Sequence, residues 1–267
     1  MSPDTAESQA GAPAGKEQDP VLELKDISLS FGGVRALHDI SFDVRAGEVV
    51  GLVGDNGAGK STTIKVIAGN LRSDSGAVRV SGVEEQFHGP QHAVDMGIAT
   101  VYQDLALCDN LDAVKNLFLG RELKRRFPPR LRRGQMEERA LHVLGQMNVT
   151  LKSLTAPVSR LSGGQRQAVA ISRVLLRSPK VVLLDEPTAA LGVAQRHQVS
   201  ELIKNLRDQG KGVLLISHDL GDVRNLADRV VVLRLGKVVA RFSRDHYSTE
   251  DLVAAITGAR DFEGVAS

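Results

Sequence analysis

Tryptophan is absent from this sequence, and aromatic residues of every kind make up only 3 % of its 267 residues. A core built from this chain is therefore aliphatic, as in sheets covered by helices. Stacking of exposed bases on aromatic side chains, a common mode of single-strand nucleic-acid binding, has little to work with. Cysteine occurs once, at Cys108, which excludes a disulfide within the chain and fits a reducing compartment. Strong net charge is also missing: 34 basic against 32 acidic residues leave a formal +2, too little to point to nucleic acid by itself. No apolar run reaches the roughly 18 residues that a membrane span needs. Residues 1–20 lack the apolar core of a signal peptide. Rich in Ala, Pro, Gly and charge, they read as a disordered tail. The expectation is a protein on the cytoplasmic side, free to dock on a membrane partner.

What is present has the balance of a soluble protein, with 42 % hydrophobic and 25 % charged residues. The length suits one large domain, or a domain with a subdomain. Residues 21–47 alternate apolar and polar on each side of Gly32 and Gly33, predicting antiparallel strands at a sheet edge. "EVVGLVG" predicts a buried strand, "KSTTIKVIAG" a helix, "GAVRVSGVEE" a short strand with turns, and "IATVYQ" a strand ending at Gln103. From about 104 to 160 the pattern turns helical, with no convincing strand. Within it, "RELKRRFPPRLRR" (121–133) is a basic run broken by Pro128 and Pro129. Beyond lie a helix, "KVVLLDEP", a second helix, "GVLLISHD", a hairpin turning at Gly236 and a short helix from Thr249. Buried strands separated by helices predict a mostly parallel α/β sheet.

"GDNGAGKS", from Gly54 to Ser61, matches G-x-x-x-x-G-K-[ST] with a strand before it and a helix after it. Gly54, Asp55, Asn56, Gly57, Ala58 and Gly59 can fold tightly and aim backbone N–H groups inward, around a phosphate. The following helix offers unpaired N–H groups to the same anion. Lys60 reaches the β and γ phosphates, Ser61 can hold Mg²⁺, and Thr62 lies near the α phosphate. A nucleotide with Mg²⁺ is the expected ligand, and a Gly-rich turn without ligand is the bland alternative. Asp185 and Glu186 follow a buried strand, at the sheet edge where open α/β sheets bind ligands. Asp185 suits the metal of a nucleotide. Glu186 suits the orientation or deprotonation of an attacking water, unless it is only a solvated loop residue.

"RLSGGQRQAVAISRVLL" makes the pattern specific. With "DEP" and "LLISHD" downstream in order, the chain resembles the ATP-binding subunits of ABC transporters over about 21–257, leaving 258–267 as a C-terminal tail. The resemblance implies a P-loop NTPase core with an antiparallel β subdomain and a helical subdomain at about 104–160. It also implies that Ser162, Gly163, Gly164 and Gln165 cap an ATP held by the P-loop of a second copy, in a two-fold homodimer. Ser162 as a plain helix cap is the alternative. By the same resemblance Gln103 senses Mg²⁺ or water and couples the site to the membrane partner, and His218 contacts the γ phosphate. Phe31 stacks on adenine. A loop glutamine, a satisfied strand-end histidine and a core phenylalanine are the plainer readings.

Two departures stand out. Gly192 occupies a position where most of the family has Asp, and Lys115 stands where Glu is usual. "AALGV", "NGAGKSTTIKVIAG" and "VYQDLALCDNLDAVKNLFLGRE" resemble the ribose, xylose and fructose importer group. The resemblance implies an ATPase that powers monosaccharide import through integral membrane permease subunits at the cytoplasmic face of the bacterial inner membrane. A periplasmic sugar-binding protein would act indirectly, and no nucleic acid is expected. "SFGGVRAL" also resembles branched-chain amino acid importers, and the basic run leaves open a soluble ABC ATPase acting on ribosomes or DNA.

Overall fold

The structure, a computed structural model, describes residues 19–125, 127 and 130–262. Apart from its last two residues, the segment read as an N-terminal tail lies outside the described residues, as do 263–267 of the C-terminal one. In chain order the elements are β1 (Pro20–Phe31), β2 (Val34–Arg45), β3 (Val49–Gly54), α1 (Lys60–Ile67), β4 (Ser75–Val80), β5 (Val83–Glu85), α2 (Pro90–Asp95) and β6 (Ile98–Val101). They continue with α3 (Ala113–Phe118), β7 (Lys124–Arg125), β8 (Arg130–Leu131), α4 (Arg133–Gln146) and α5 (Gly163–Leu175). The last are β9 (Val181–Asp185), α6 (Val193–Asp208), β10 (Gly212–Ile216), α7 (Leu220–Leu226), β11 (Arg229–Arg234), β12 (Lys237–Ser243) and α8 (Thr249–Thr257).

The antiparallel sheet β2-β1-β4-β5 and the main sheet β12-β11-β3-β10-β9-β6 are distinct. In the main sheet all pairings are parallel except β11–β12. Its central strands β9 and β10 are runs of Val, Leu and Ile buried on both faces, the composition that a parallel sheet covered by helices requires. One apolar cluster lies between the two sheets and involves Leu24, Ile40, Leu52 and Ile64; another lies under α5 and α6. Arg229 fastens one sheet to the other. Its guanidinium donates to both carboxylate oxygens of Asp43 on β2, at 3.0 and 2.9 Å, and to both of Glu48.

The helical segment departs from expectation at its basic run, where β7 and β8 form a two-stranded antiparallel hairpin although no strand was expected there. Two residues a strand is too short for any period to register. Helices α2 and α7 were likewise not anticipated; at 6 and 7 residues they are barely two turns. The helical layer is not self-contained. Val169 of α5 packs with α3 and α4, while Ala168 and Ile171 of the same helix pack against the main sheet. After α8, Phe262 still packs, edge-on to Phe242 with ring centroids 5.3 Å apart.

Candidate active site

Strand register gathers the site. Leu52 pairs with Ile216, Ile216 with Asp185, and Leu184 with Val101. The loops carrying Gly54–Lys60, Glu186, His218 and Gln103 therefore leave one carboxyl edge of the sheet, side by side. Only Gly fits the phosphate-loop backbone at two positions. Gly54 has φ 154°, and a Cβ there would lie 2.2 Å from the Leu233 carbonyl oxygen; Gly59 has φ 108°, and its Cβ would meet Leu37 at 2.9 Å. The first turn of α1 has no side-chain cap, so its N–H groups remain for an anion. The three hydroxyls that follow Lys60 divide their work. Thr63 is fully buried and donates to the Gly59 carbonyl at 3.0 Å, whereas Ser61 is exposed and Thr62 half-buried.

Lys60 folds over the loop and donates to the carbonyls of Gly54 at 2.8 Å and Asp55 at 2.9 Å. Burial pushes its ammonium pKa down, against the raising fields of Glu186, Asp55 and Asp185. The Asp185 carboxyl is pushed up by burial and then by Glu186, with Lys60 and Lys65 opposing. A cation beside Asp185 would relieve that cost. Ser61, Asp185 and Gln103 offer hard oxygen donors suited to Mg²⁺. Among the described residues no group of three or more His, Cys, Asp or Glu is placed to hold a metal. The remaining ligands would thus come from phosphate and water, the usual coordination of Mg²⁺. On donor chemistry, the residues fit.

Glu186 and His218 meet: His218 Nδ1 lies 3.3 Å from Glu186 Oε1. Glu186 has φ 49°, a left-handed conformation uncommon for a side chain of this size. Its N–H donates to the Ile216 carbonyl at 2.9 Å, which holds it there. Gln103 is exposed two residues past β6. Phe31 is 51 % exposed at the tip of the β1–β2 hairpin, so it is not a core residue.

Ser162 and Gln165 form a reciprocal capping box: the Ser162 hydroxyl accepts from the Gln165 N–H, and Gln165 Oε1 accepts from the Ser162 N–H. The Gln165 side chain is thereby engaged within its own helix, while the Ser162 O–H is still able to donate outward. Gly163 and Gly164 sit against α6 and the loop before it. A Cβ at Gly163 would lie 2.6 Å from Leu191, and one at Gly164 2.7 Å from Gln198 Oε1.

Arg196 and Arg173 carried no sequence signal, whereas Lys115 and Asn116 stood in a segment the resemblance covers. Arg196 donates to the Leu191 carbonyl and to the Asp219 carboxylate, tying the loop before Gly192 to the loop of His218. Asp219 also accepts from the N–H groups of Gly221 and Asp222. Burial pushes its carboxyl up, but these partners outweigh that and hold it below its ordinary value. Arg173 donates to the carbonyls of Ala106 and Leu105 at 2.8 and 3.0 Å and so fixes the segment after Gln103. Asn116, fully buried, accepts from the Cys108 N–H at 2.7 Å and donates to the Cys108, Leu111 and Asp112 carbonyls. Lys115 pairs with Asp112 at 2.8 Å.

Comparison with known proteins agrees with this geometry. A family profile described as ABC transporter matches residues 37–189. The chain is 40 % identical to a xylose/arabinose import ATP-binding protein of Sulfolobus acidocaldarius, over 89 % of this chain and 94 % of that protein. It is also 40 % identical to a fructose import ATP-binding protein of Rhizobium meliloti, over 91 % and 96 %. A ribose import ATP-binding protein of Burkholderia cenocepacia is 38 % identical over 91 % of this chain, which spans only 47 % of that longer protein. Among solved structures, an ATP-binding cassette of an ABC transporter in its ADP conformation superposes with TM-score 0.76 at 26 % identity, covering 91 % of this chain and 97 % of that one. A dimeric cassette in a post-hydrolysis state, bound to ADP and Pi, gives 0.70 at 25 %, covering 85 % and 100 %. A phosphate loop, a carboxylate pair and a glycine-led helix on this fold have one common owner: the chain belongs to the ABC transporter family, as an ATPase built on its ATP-binding cassette.

Proposed function

We propose that the chain hydrolyses ATP to energise import of a monosaccharide, fructose- or ribose-like, through a membrane permease. It would act as a homodimer, peripheral on the cytoplasmic face of the bacterial inner membrane, with a periplasmic sugar-binding protein delivering the solute. The observation that carries this reading is the 40 % identity to xylose/arabinose and fructose import ATP-binding proteins over more than nine-tenths of their own length. Two copies of the cassette would supply the two sites.

The backbone N–H groups of Gly57–Ser61 and the Lys60 ammonium bind the phosphates, and exposed Phe31 stacks on the base. Ser61 and Asp185, with Gln103 close by, would hold Mg²⁺, which supplies charge neutralisation on the phosphates. Glu186 takes the proton of the attacking water, and His218, in contact with it, orients both the carboxylate and the γ phosphate. Ser162, Gly163 and Gly164 of a second copy close the site from the opposite side. The α3–α5 layer passes that closure to the permease.

The test is uptake. The chain and its candidate permease are reconstituted in vesicles with internal ATP, and labelled xylose, arabinose, fructose, ribose and leucine are offered in turn. Uptake of one of these sugars, lost in Lys60→Ala, supports the reading. Uptake of leucine alone rejects it.

A further inference from the structure

The basic run has no part in nucleotide chemistry. Residues 121–133 hold seven basic side chains and one acidic, a formal +6 against +2 for the entire chain, so the remainder is net negative. A charge run is ordinarily a solvated face, but this one is built. Lys124 pairs with Leu131 and Arg125 with Arg130 across the β7–β8 hairpin. The Arg132 N–H donates to the Leu123 carbonyl at 2.7 Å, and Arg121 donates to the Arg173 carbonyl at 3.2 Å, so the base is pinned to α5. The Arg125–Arg130 pair sets two like charges directly opposite each other, an arrangement that weakens a strand pair. Among the described residues none of Lys124, Arg125, Arg130, Arg132 and Arg133 forms an ion pair, although Glu122 lies in the field of Lys124. The hairpin thus concentrates uncompensated positive charge.

Its turn adds an apolar component. In a chain with so few aromatics, Phe127 stands 85 % exposed between the two strands, with Leu131 49 % exposed beside it. Behind the hairpin a groove of about 890 Å³ continues the same sign, with Arg121, Arg132 and Arg139 against one carboxylate, Glu138. Cations ringing an exposed apolar tip match a surface that is anionic outside and apolar just beneath. An acidic protein segment would leave Phe127 in water. Nucleic acid would find no second exposed aromatic in the hairpin to stack on.

From this arrangement we infer that the β7–β8 hairpin seats the chain on anionic lipid: Lys124, Arg125, Arg130, Arg132 and Arg133 face the phosphate headgroups, and Phe127 enters the headgroup–acyl boundary. The inference is independent of which solute is carried. Vesicle binding survives if the sugar reading fails, and sugar uptake survives if the hairpin does not bind lipid.

Sedimentation of the full chain with phosphatidylcholine vesicles, pure or with roughly one-third phosphatidylglycerol, tests it. The chain should sediment with the mixed vesicles at low salt, ignore the pure ones, and be released as salt approaches about 0.5 M. The combined variant Lys124→Gln, Arg125→Gln, Arg130→Gln, Arg132→Gln should lose at least about tenfold in partitioning, with nucleotide affinity unchanged as the check on folding. Phe127→Ser should lose a few-fold at every salt concentration. Equal binding to both vesicle types, or wild-type binding by the combined variant, overturns the proposal. So does a single-stranded oligonucleotide that, at equal phosphate concentration, strips the chain from the vesicles.

Discussion

At the scale of single residues, the chemistry converges on Glu186. Its carboxylate contacts His218 and shapes the electrostatics of both Lys60 and Asp185. Glu186→Gln should keep ATP affinity but cut steady-state hydrolysis by about 10²–10⁴-fold, measured with the permease present; near-normal turnover would remove Glu186 from the role of base. Arg196 is a positioning residue, acting through Leu191 and through Asp219 beside His218. Arg196→Ala frees the Leu191 carbonyl and the Asp219 carboxylate together, so turnover should fall about tenfold, short of the ~10²-fold that a 1 Å misplacement costs. KM for ATP should hold, and Arg196→Lys should restore only part of the loss. A matching rise in KM would instead place Arg196 in nucleotide binding.

At the scale of elements, the segment linking Gln103 to α3 is held from α5 by Arg173 and from α3 by one amide. Asn116 is fully buried and spends both its oxygen and its NH₂ group on backbone between Cys108 and Asp112. Asn116→Ala leaves the Cys108 N–H without its partner, while the three carbonyls keep their backbone donors Leu111, Val158 and Asn116, and should cost about 1–3 kcal/mol and several degrees of Tm. Chemical denaturation reads this directly. A cost under about 0.5 kcal/mol would mean that Arg173 and the backbone bonds from Val158 and Ser159 hold the segment without the amide. Such an element cannot be read from a sequence window. The pattern "NLDAVKNLF" shows a helix, but not that its asparagine faces inward to cap a loop eight residues back. The β7–β8 hairpin stayed hidden for a different reason: its pairing is local, but two residues a strand carry no period.

At the scale of the whole molecule, the proposed site is half of a shared one. On the proposed reading the Ser162 hydroxyl and the N-terminus of α5 meet the phosphate of a second copy, so ATP itself would join two copies. In sedimentation velocity the Glu186→Gln chain with Mg-ATP should shift from monomer to dimer, and Ser162→Arg should abolish the shift while single-copy nucleotide binding persists. A Glu186→Gln chain that remained monomeric with ATP, both alone and with the permease, would refute the shared site. The two sheets supply a pH prediction. Burial pushes the Asp43 carboxyl up, but hydrogen bonds and charge from Arg229 and Arg45 win and hold it below its ordinary value. A depressed carboxylate stabilises the fold above its unfolded pKa, near 3.9, and loses that contribution as pH falls through the lower folded value. Asp43→Asn should therefore be less stable than wild type at pH 6, by about 1.5 kcal/mol. The two melting curves should converge below pH 4. Parallel curves at every pH would assign the loss to packing.

The sequence by itself determined the chemistry and the fold class. "GDNGAGKS", "LLDEP" and "LSGGQ" are local: each needs only a strand or helix beside it, and aliphatic runs at the right spacing provide those. It also placed Phe31 in a hairpin tip and marked Gly192, whose φ of −70° is ordinary backbone with nothing within 4 Å of a Cβ. Only the tertiary structure decided which groups meet. The Glu186–His218 contact, the Arg196–Asp219 clamp and the Asp43–Arg229–Glu48 tie join residues 23 to 186 positions apart. Their geometry follows from parallel strand register and from the close approach of α5 to α6. Those are properties of the packed sheet, and no single stretch of the chain contains them.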